Sequence, residues 1–213
     1  MSTISDNRID SVLLIGPTGA GKTPLGEYLG KNGLSRRQCH HLDFGHELRM
    51  IAGWDAPETP FTYEDVSFIR GVLNNGLLLE GKHFHIAEKV IRSFLERKGF
   101  VSRHLLVLNG IPRHVGQAKD MARIVNIREL IVLDCQAEDV FDRIRGNRGG
   151  DRTNRDDDSF EMVRHKLAIF MERTSALIDY YRMQGCRIYP IGVKADSKIE
   201  ELYSQLLLRR GEY

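Results

Sequence analysis

The chain has 213 residues, 41% of them hydrophobic, and this length allows one sizeable core within a single domain. Its 31 basic and 29 acidic residues leave a formal charge of +2, which argues against a protein that wraps nucleic acid. Its 3 cysteines are far apart, so neither a disulfide framework nor a zinc site is indicated. No apolar run approaches a membrane span and the amino terminus has no apolar h-region, so we expect a cytoplasmic protein with no membrane partner. Separately, we expect a monomer.

Short apolar runs alternate with longer stretches of helical spacing. The runs predict strands at residues 12–15, 39–42, 105–108, 130–133 and 186–191. The helical stretches lie at residues 25–29, 66–73, 86–95 and 160–183. This alternation predicts an α/β fold, with a parallel five-stranded sheet flanked by helices. The runs at 105–108 and 130–133 are continuously apolar, as in strands covered on both faces, and are therefore predicted to be central.

A P-loop follows the first predicted strand. Residues 16–23 read G-P-T-G-A-G-K-T and fit the pattern G-x-x-x-x-G-K-[ST], with a helical stretch directly after them. Lys22 is expected to bridge the β- and γ-phosphates of a nucleoside triphosphate, and the Thr23 hydroxyl to ligate Mg²⁺. The backbone N–H groups expected to meet phosphate oxygens are those of Gly16, Gly19, Ala20 and Gly21.

A second phosphate site is predicted after the strand at 105–108. That strand ends in Asn109-Gly110-Ile-Pro-Arg113, which presents an arginine at a helix start. Gln117 follows one helical turn later, and its amide both donates and accepts hydrogen bonds, which suits the Watson–Crick edge of adenine.

These segments resemble motifs of the adenylate kinases and other nucleoside monophosphate kinases. The family sequence D-G-F-P-R-x-x-x-Q-A matches residues 109–118, and G-D-x-L-R matches 45–49. D-R-I-x-G matches residues 142–146, and the R-x-D-D and R-x-R-L sequences match 155–158 and 164–167. A shorter match at 191–194 corresponds to the segment that packs around the adenine of ATP. The resemblance spans nearly the whole chain in motif order.

The resemblance implies a P-loop kinase fold with an inserted helical acceptor-binding segment and a short lid loop. The core would comprise residues 9–43, 101–146 and 156–213, the insert about 44–100 and the lid about 147–155. The implied reaction transfers the γ-phosphoryl group of ATP, with Mg²⁺, to a nucleoside monophosphate, with AMP as the leading acceptor.

The resemblance also implies site residues, by position in the motifs. The implied catalytic residues are Lys22, Arg113, Arg143, Arg155 and Lys166. Those for ATP are Gly16, Gly19, Ala20, Gly21, Lys22, Thr23, Arg143 and Gly192. Those for the acceptor are Phe44, Arg49, Leu79, Gly110, Arg113, Gln117, Arg155 and Lys166. Thr23 would ligate the metal, with Asn109 assisting through a water.

Three positions depart from the family pattern. Asn109 and His46 replace two aspartates, and Phe44 replaces a small hydroxyl residue. Because Asn109 removes one negative charge near Mg²⁺, we expect weaker metal binding or slower turnover unless Asp43 or Asp134 supplies that charge. Two alternatives therefore stay open: a nucleotide-binding regulatory protein with weak or lost transfer, and a P-loop kinase or ATPase that serves another small metabolite.

Overall fold

The computed structural model describes residues 8–75, 77, 79, 81–147, 160–170, 172 and 175–212, without the side chains of 160, 162, 166, 169 and 175. The strands are β1 (Ile9–Ile15), β2 (Cys39–Asp43), β3 (Leu105–Asn109), β4 (Val125–Cys135) and β5 (Arg187–Val193). The helices are α1 (Lys22–Asn32), α2 (Phe44–Ala52), α3 (Tyr63–Asn75), α4 (Phe84–Arg97), α5 (Val115–Met121), α6 (Ala137–Arg145), α7 (Phe160–Ile169), α8 (Ser175–Met183) and α9 (Ile199–Arg210).

The strands form one parallel sheet in the order β2-β3-β1-β4-β5. This confirms the predicted α/β fold and its five-stranded parallel sheet. β3 and β4, predicted to be central, lie on either side of β1, and every residue of β3 is buried. The chain moves from β1 to one side for β2 and β3 and then to the other side for β4 and β5. A ligand crevice is expected at such a switch point, outside the carboxyl ends of the strands.

The element bounds differ from the apolar runs where polar residues interrupt the pattern. β4 begins at Val125, five residues before the predicted run, because buried Val125 and Ile127 alternate there with the less buried Asn126 and Arg128. The helical stretch predicted over 160–183 contains two helices, α7 and α8. Spacing of apolar residues predicts that a segment is helical more reliably than where each helix begins and ends.

Each face of the sheet carries its own apolar core. One core joins α2, α3, α4, α5 and α8 to the sheet, and the other joins α1 and α9 to the opposite face. In the first core, α2 and α4 are also linked by an ion pair in which Arg97 Nη2 lies 2.7 Å from Glu47 Oε2. α2, α3 and α4 occupy the stretch between β2 and β3, where the acceptor-binding insert is predicted. The assignment of domain boundaries stays a prediction.

The described helices include none with the length and apolar character needed to cross a membrane.

Candidate active site

The loop between β1 and α1 has the backbone shape that its glycines permit. Gly19 and Gly21 have φ angles of 79° and 97°, in the left-handed region that favours glycine. A Cβ atom on Gly19 would lie 2.8 Å from Cγ1 of Ile144, so the loop also packs closely against α6. α1 begins at Lys22, directly after Gly21. The positive end of the helix dipole therefore lies at the loop, where an anion is favoured.

Lys22 lies within this loop. Its Nζ donates to the carbonyl oxygens of Gly16 and Pro17, each at 2.7 Å. Gly16 and Ala20, two of the loop residues predicted to bind phosphate, are buried. The ammonium group is thus held where the phosphate cradle is predicted, although its bridging role stays a prediction.

A cluster of three polar side chains forms where α1 meets the ends of β2 and β3. Thr23 Oγ1 donates to Asp43 Oδ2 at 2.6 Å, and Asn109 Nδ2 donates to the same carboxylate oxygen at 3.2 Å. Asn109 Nδ2 also donates to Thr23 Oγ1 at 3.0 Å. Asp43 and Asn109 are register partners in the parallel ladder of β2 and β3, and this pairing places their side chains together.

The donor set of this cluster fits Mg²⁺. The ion prefers oxygen ligands and is commonly held by one or two protein groups together with nucleotide phosphates. The Thr23 hydroxyl and the Asp43 carboxylate supply such oxygens next to the phosphate loop. Within the described ranges, no group of three or more His, Cys, Asp or Glu residues is placed to hold a metal.

Asp43 is ionised at neutral pH. Burial alone would raise the pKa of its carboxyl, but hydrogen bonds from Thr23 and from the His46 amide outweigh it and lower the pKa below its usual value. The His46 N–H donates to Oδ1 at 2.9 Å, so Asp43 also caps the amino terminus of α2. One carboxylate oxygen thus orients the helix, and the other lies at Thr23.

His41 lies beside this cluster and carries no charge at neutral pH. Burial lowers the pKa of its imidazole to about 4. Its Nε2 is 3.4 Å from Asn109 Nδ2, and its ring packs against α1 at Gly26. Sequence reasoning assigned His41 no role, because the contact with Gly26 depends on how α1 crosses β2 and has no local signature.

Two predicted acceptor residues, Arg49 and Arg113, lie beside two neighbouring glycines at the same edge of the sheet: Gly45 in the first turn of α2 and Gly110 in the loop after β3. A Cβ atom on Gly110 would lie 3.8 Å from the Gly45 nitrogen and 3.9 Å from Arg113 Nη2. A Cβ atom on Gly45 would lie 3.4 Å from Arg49 Nη1. Gly110 has a φ of 88°, and its carbonyl accepts from Arg113 Nε at 3.1 Å. The guanidinium groups of both arginines thus flank the start of α2 and the loop after β3.

Gln117, predicted to contact the acceptor base, is 2% exposed. Its Oε1 accepts from the Arg113 N–H at 2.8 Å, and its Nε2 donates to the carbonyl of Leu79. The structure therefore brings together Gln117, Arg113 and Leu79, three residues assigned to the acceptor. Phe44, also assigned to it, is 5% exposed and lies in the core below Gly110. Roles for Gln117 and Phe44 at the base stay predictions.

Arg143, predicted to contact phosphate, connects the phosphate loop with the segment after β5. It is 2% exposed; its Nε donates to the Gly19 carbonyl at 3.1 Å, and its Nη1 to those of Lys194 and Ser197 at 2.9 and 3.1 Å. These contacts hold the loop backbone, a role that sequence reasoning missed. The motif at 142–146 indicated an important arginine here, but not its partners.

The remaining predicted residues lie elsewhere or outside the description. Gly192 is exposed in β5, in register with Asp134 of β4. Asp134 is itself exposed, and β4 lies across β1 from β3, which carries Asn109. Arg155 and residues 148–155 of the predicted lid fall outside the described residues, as does the side chain of Lys166. Their roles stay predictions.

A parallel sheet with a P-loop after β1 and a second turn after β3 defines a P-loop kinase fold. No protein-family model matches the chain. Curated proteins named adenylate kinase do match: the one from Haloarcula marismortui is 25% identical over 92% of this chain and 94% of its own length. The adenylate kinase of Parasynechococcus marenigrum is 29% identical over 92% and 95%, and that of Rhodopirellula baltica 29% over 82% of each. The chain is related to the adenylate kinase family.

Proposed function

We propose that the chain transfers the γ-phosphoryl group of ATP, in the presence of Mg²⁺, to a nucleoside monophosphate, with AMP as the first acceptor. The observation that carries this proposal is that the phosphate loop, the oxygen cluster around Thr23 and the two segments that bear Arg49 and Arg113, α2 and the loop after β3, all lie at one edge of the sheet. In-line transfer requires donor and acceptor phosphates to be held side by side.

On the donor side, the loop and the start of α1 would bind the triphosphate. Lys22 would exchange its carbonyl partners for phosphate oxygens, while Arg143 holds the loop backbone at Gly19. When bound, Mg²⁺ would neutralise part of the charge on the triphosphate. Thr23 and Asp43 are the residues that would hold the ion.

On the acceptor side, Arg49 and Arg113 would bind the monophosphate and offset the charge of the transferred group. A guanidinium suits this task because it stays charged and contacts two phosphate oxygens at once. Gln117 fixes the backbone N–H of Arg113 and so supports the turn from which that arginine extends. AMP is proposed as the first acceptor because the relatives carry the name adenylate kinase. Neither alternative reading of the sequence gains support from these relatives.

The test is a coupled assay of ADP formation with ATP, Mg²⁺ and each of AMP, CMP, UMP, GMP and the deoxynucleoside monophosphates. We expect transfer to at least one acceptor, with AMP fastest. Arg113→Met is expected to lower kcat/KM by roughly 100- to 1,000-fold, as when one charge-stabilising donor is removed. Arg123→Met is the matched control, because that side chain is 72% exposed and pairs only with nearby Asp120 among the described ion pairs. Absence of ADP-forming transfer to every acceptor would refute the proposal.

A further inference from the structure

Two aspartates expected from the family pattern are replaced in this chain, and one of them is expected beside the metal. Asn109 replaces the aspartate at the end of β3, and His46 replaces the aspartate at the third residue of α2. Asn109 is 4% exposed and points its amide nitrogen at Thr23, so it presents a donor where a carboxylate is expected. An N–H donor offers no electron pair to a cation. The charge must come from elsewhere if the site is to hold Mg²⁺.

A carboxylate lies one strand away, at the same level of the sheet. Asp43 is the register partner of Asn109, and its Oδ2 is 2.6 Å from the Thr23 hydroxyl. The cap of α2 uses only Oδ1, through the His46 N–H. Oδ2 instead accepts a hydrogen bond from Asn109 Nδ2 at 3.2 Å. The asparagine thus holds the neighbouring carboxylate against the P-loop threonine.

Other polar and charged side chains lie near Asp43 or at the neighbouring strand ends. The His41 ring borders Asn109, with its Nε2 3.4 Å from Asn109 Nδ2. Lys22, one residue before Thr23, directs its ammonium into the loop, toward the carbonyls of Gly16 and Pro17. Asp134, the other carboxylate at a strand end, is exposed on β4, on the opposite side of β1 from β3.

We infer that Asp43 supplies the carboxylate of the magnesium position and that Asn109 is the residue that positions it, so that the acid of this site lies on β2 instead of β3. The inference rests on the proposed function in one respect: Mg²⁺ arrives with the nucleoside triphosphate. A role limited to capping α2 would explain Oδ1 but not the placement of Oδ2 at Thr23.

The test measures binding, not activity. Isothermal titration calorimetry gives the dissociation constant of ATP in the presence of Mg²⁺ and in the presence of a chelator. We call the second constant divided by the first the Mg²⁺ benefit. In Asp43→Asn we expect that benefit to fall roughly 10- to 100-fold, the range typical when a group supporting a metal is removed. Binding of ATP without Mg²⁺ should stay close to that of the unchanged protein. Asparagine caps helices as well as aspartate does, so α2 should keep its cap and the variant should fold.

Two further variants sharpen the test. Asp134→Asn is the matched control and should keep the full Mg²⁺ benefit, because that carboxylate lies away from Thr23. The exchange Asp43→Asn with Asn109→Asp returns one carboxylate to the pair and should recover much of the benefit. An unchanged Mg²⁺ benefit in Asp43→Asn, with melting like that of the unchanged protein, overturns the inference.

This result is separate from that of the acceptor assay. Loss of the Mg²⁺ benefit in Asp43→Asn, without transfer to any monophosphate, would support the metal position and refute the proposed kinase function. Transfer to AMP together with an intact Mg²⁺ benefit in Asp43→Asn would support the proposed kinase function and refute the metal position.

Discussion

The contact between Gly26 of α1 and His41 of β2 gives a sharp prediction about how the site is supported. A Cβ atom on Gly26 would lie 2.7 Å from Cγ of the His41 ring and closer still to Cδ2 and Nε2. These approaches are shorter than real Cβ contacts allow. The ring is half-buried and also borders Asn109, so Gly26→Ala would displace a side chain that contacts the cluster of Thr23, Asp43 and Asn109.

The size of the effect follows from two opposing terms. Replacing glycine by alanine inside a helix stabilises it by about 1 kcal/mol. Overpacking a filled site costs about 1–3 kcal/mol, and a rigid ring packed against the helix belongs in the upper part of that range. The net expectation for Gly26→Ala is a loss of about 1–2 kcal/mol in the free energy of unfolding.

Gly30 on the same helix is the matched control. A Cβ atom there would meet only the Cys39 carbonyl, at 4.0 Å, so Gly30→Ala should stabilise the protein by up to about 1 kcal/mol. Urea unfolding followed by circular dichroism would measure both variants. For a chain of this size, a change of 1 kcal/mol in the free energy of unfolding shifts the melting temperature by about 2–4 °C. The melting temperatures of the two variants should therefore differ by roughly 5–10 °C. Equal stabilisation by both alanines would show that His41 does not fill the space beside Gly26.

Two predictions concern parts of the molecule away from the phosphate loop. Burial, with smaller contributions from His104 and Lys98, lowers the pKa of His40, so its neutral form is favoured in the folded state. The free energy of unfolding should therefore fall as the pH drops below about 6.5, the pKa of an unfolded histidine. Urea titrations of His40→Gln should show a flatter dependence of this free energy on pH between about pH 7.5 and 5.5. An unchanged dependence would contradict the lowered pKa of His40. Nη2 of Arg97 donates to both carboxylate oxygens of Glu47, whose side chain is 8% exposed. Because the Arg97 side chain is itself 43% exposed, Arg97→Met should cost about 1–3 kcal/mol, less than loss of a fully buried pair. Arg92→Met, which removes an exposed pair within α4, should cost less than about 0.5 kcal/mol, and similar losses in the two variants would refute this account.

The parts of the site that are contiguous in sequence were predictable. The P-loop is one run of residues, and the glycines that shape it are part of the motif. The continuous apolar run before Asn109 predicted a buried strand and therefore placed the turn that bears Arg113 at its carboxyl end. The five strands could be located for the same reason, although polar residues concealed the start of β4.

Contacts that depend on register and packing could not be predicted. The sequence suggested that Asp43 or Asp134 takes over a missing charge, but only the pairing of Asp43 with Asn109 shows which carboxylate meets Thr23. The motif around Arg143 indicated a phosphate contact, whereas its described partners are backbone carbonyls of the loop and of the segment after β5. Such contacts join residues far apart in the chain and leave no local pattern.

The most direct test of the central claim follows both nucleotides at once. Phosphorus NMR of the protein with ATP, AMP and Mg²⁺ would record every phosphorus-containing species during the reaction. We expect ADP to form from both nucleotides, with no matching rise in inorganic phosphate. Inorganic phosphate appearing while AMP is not consumed would identify an ATPase instead, and an unchanged spectrum would contradict phosphoryl transfer by this chain.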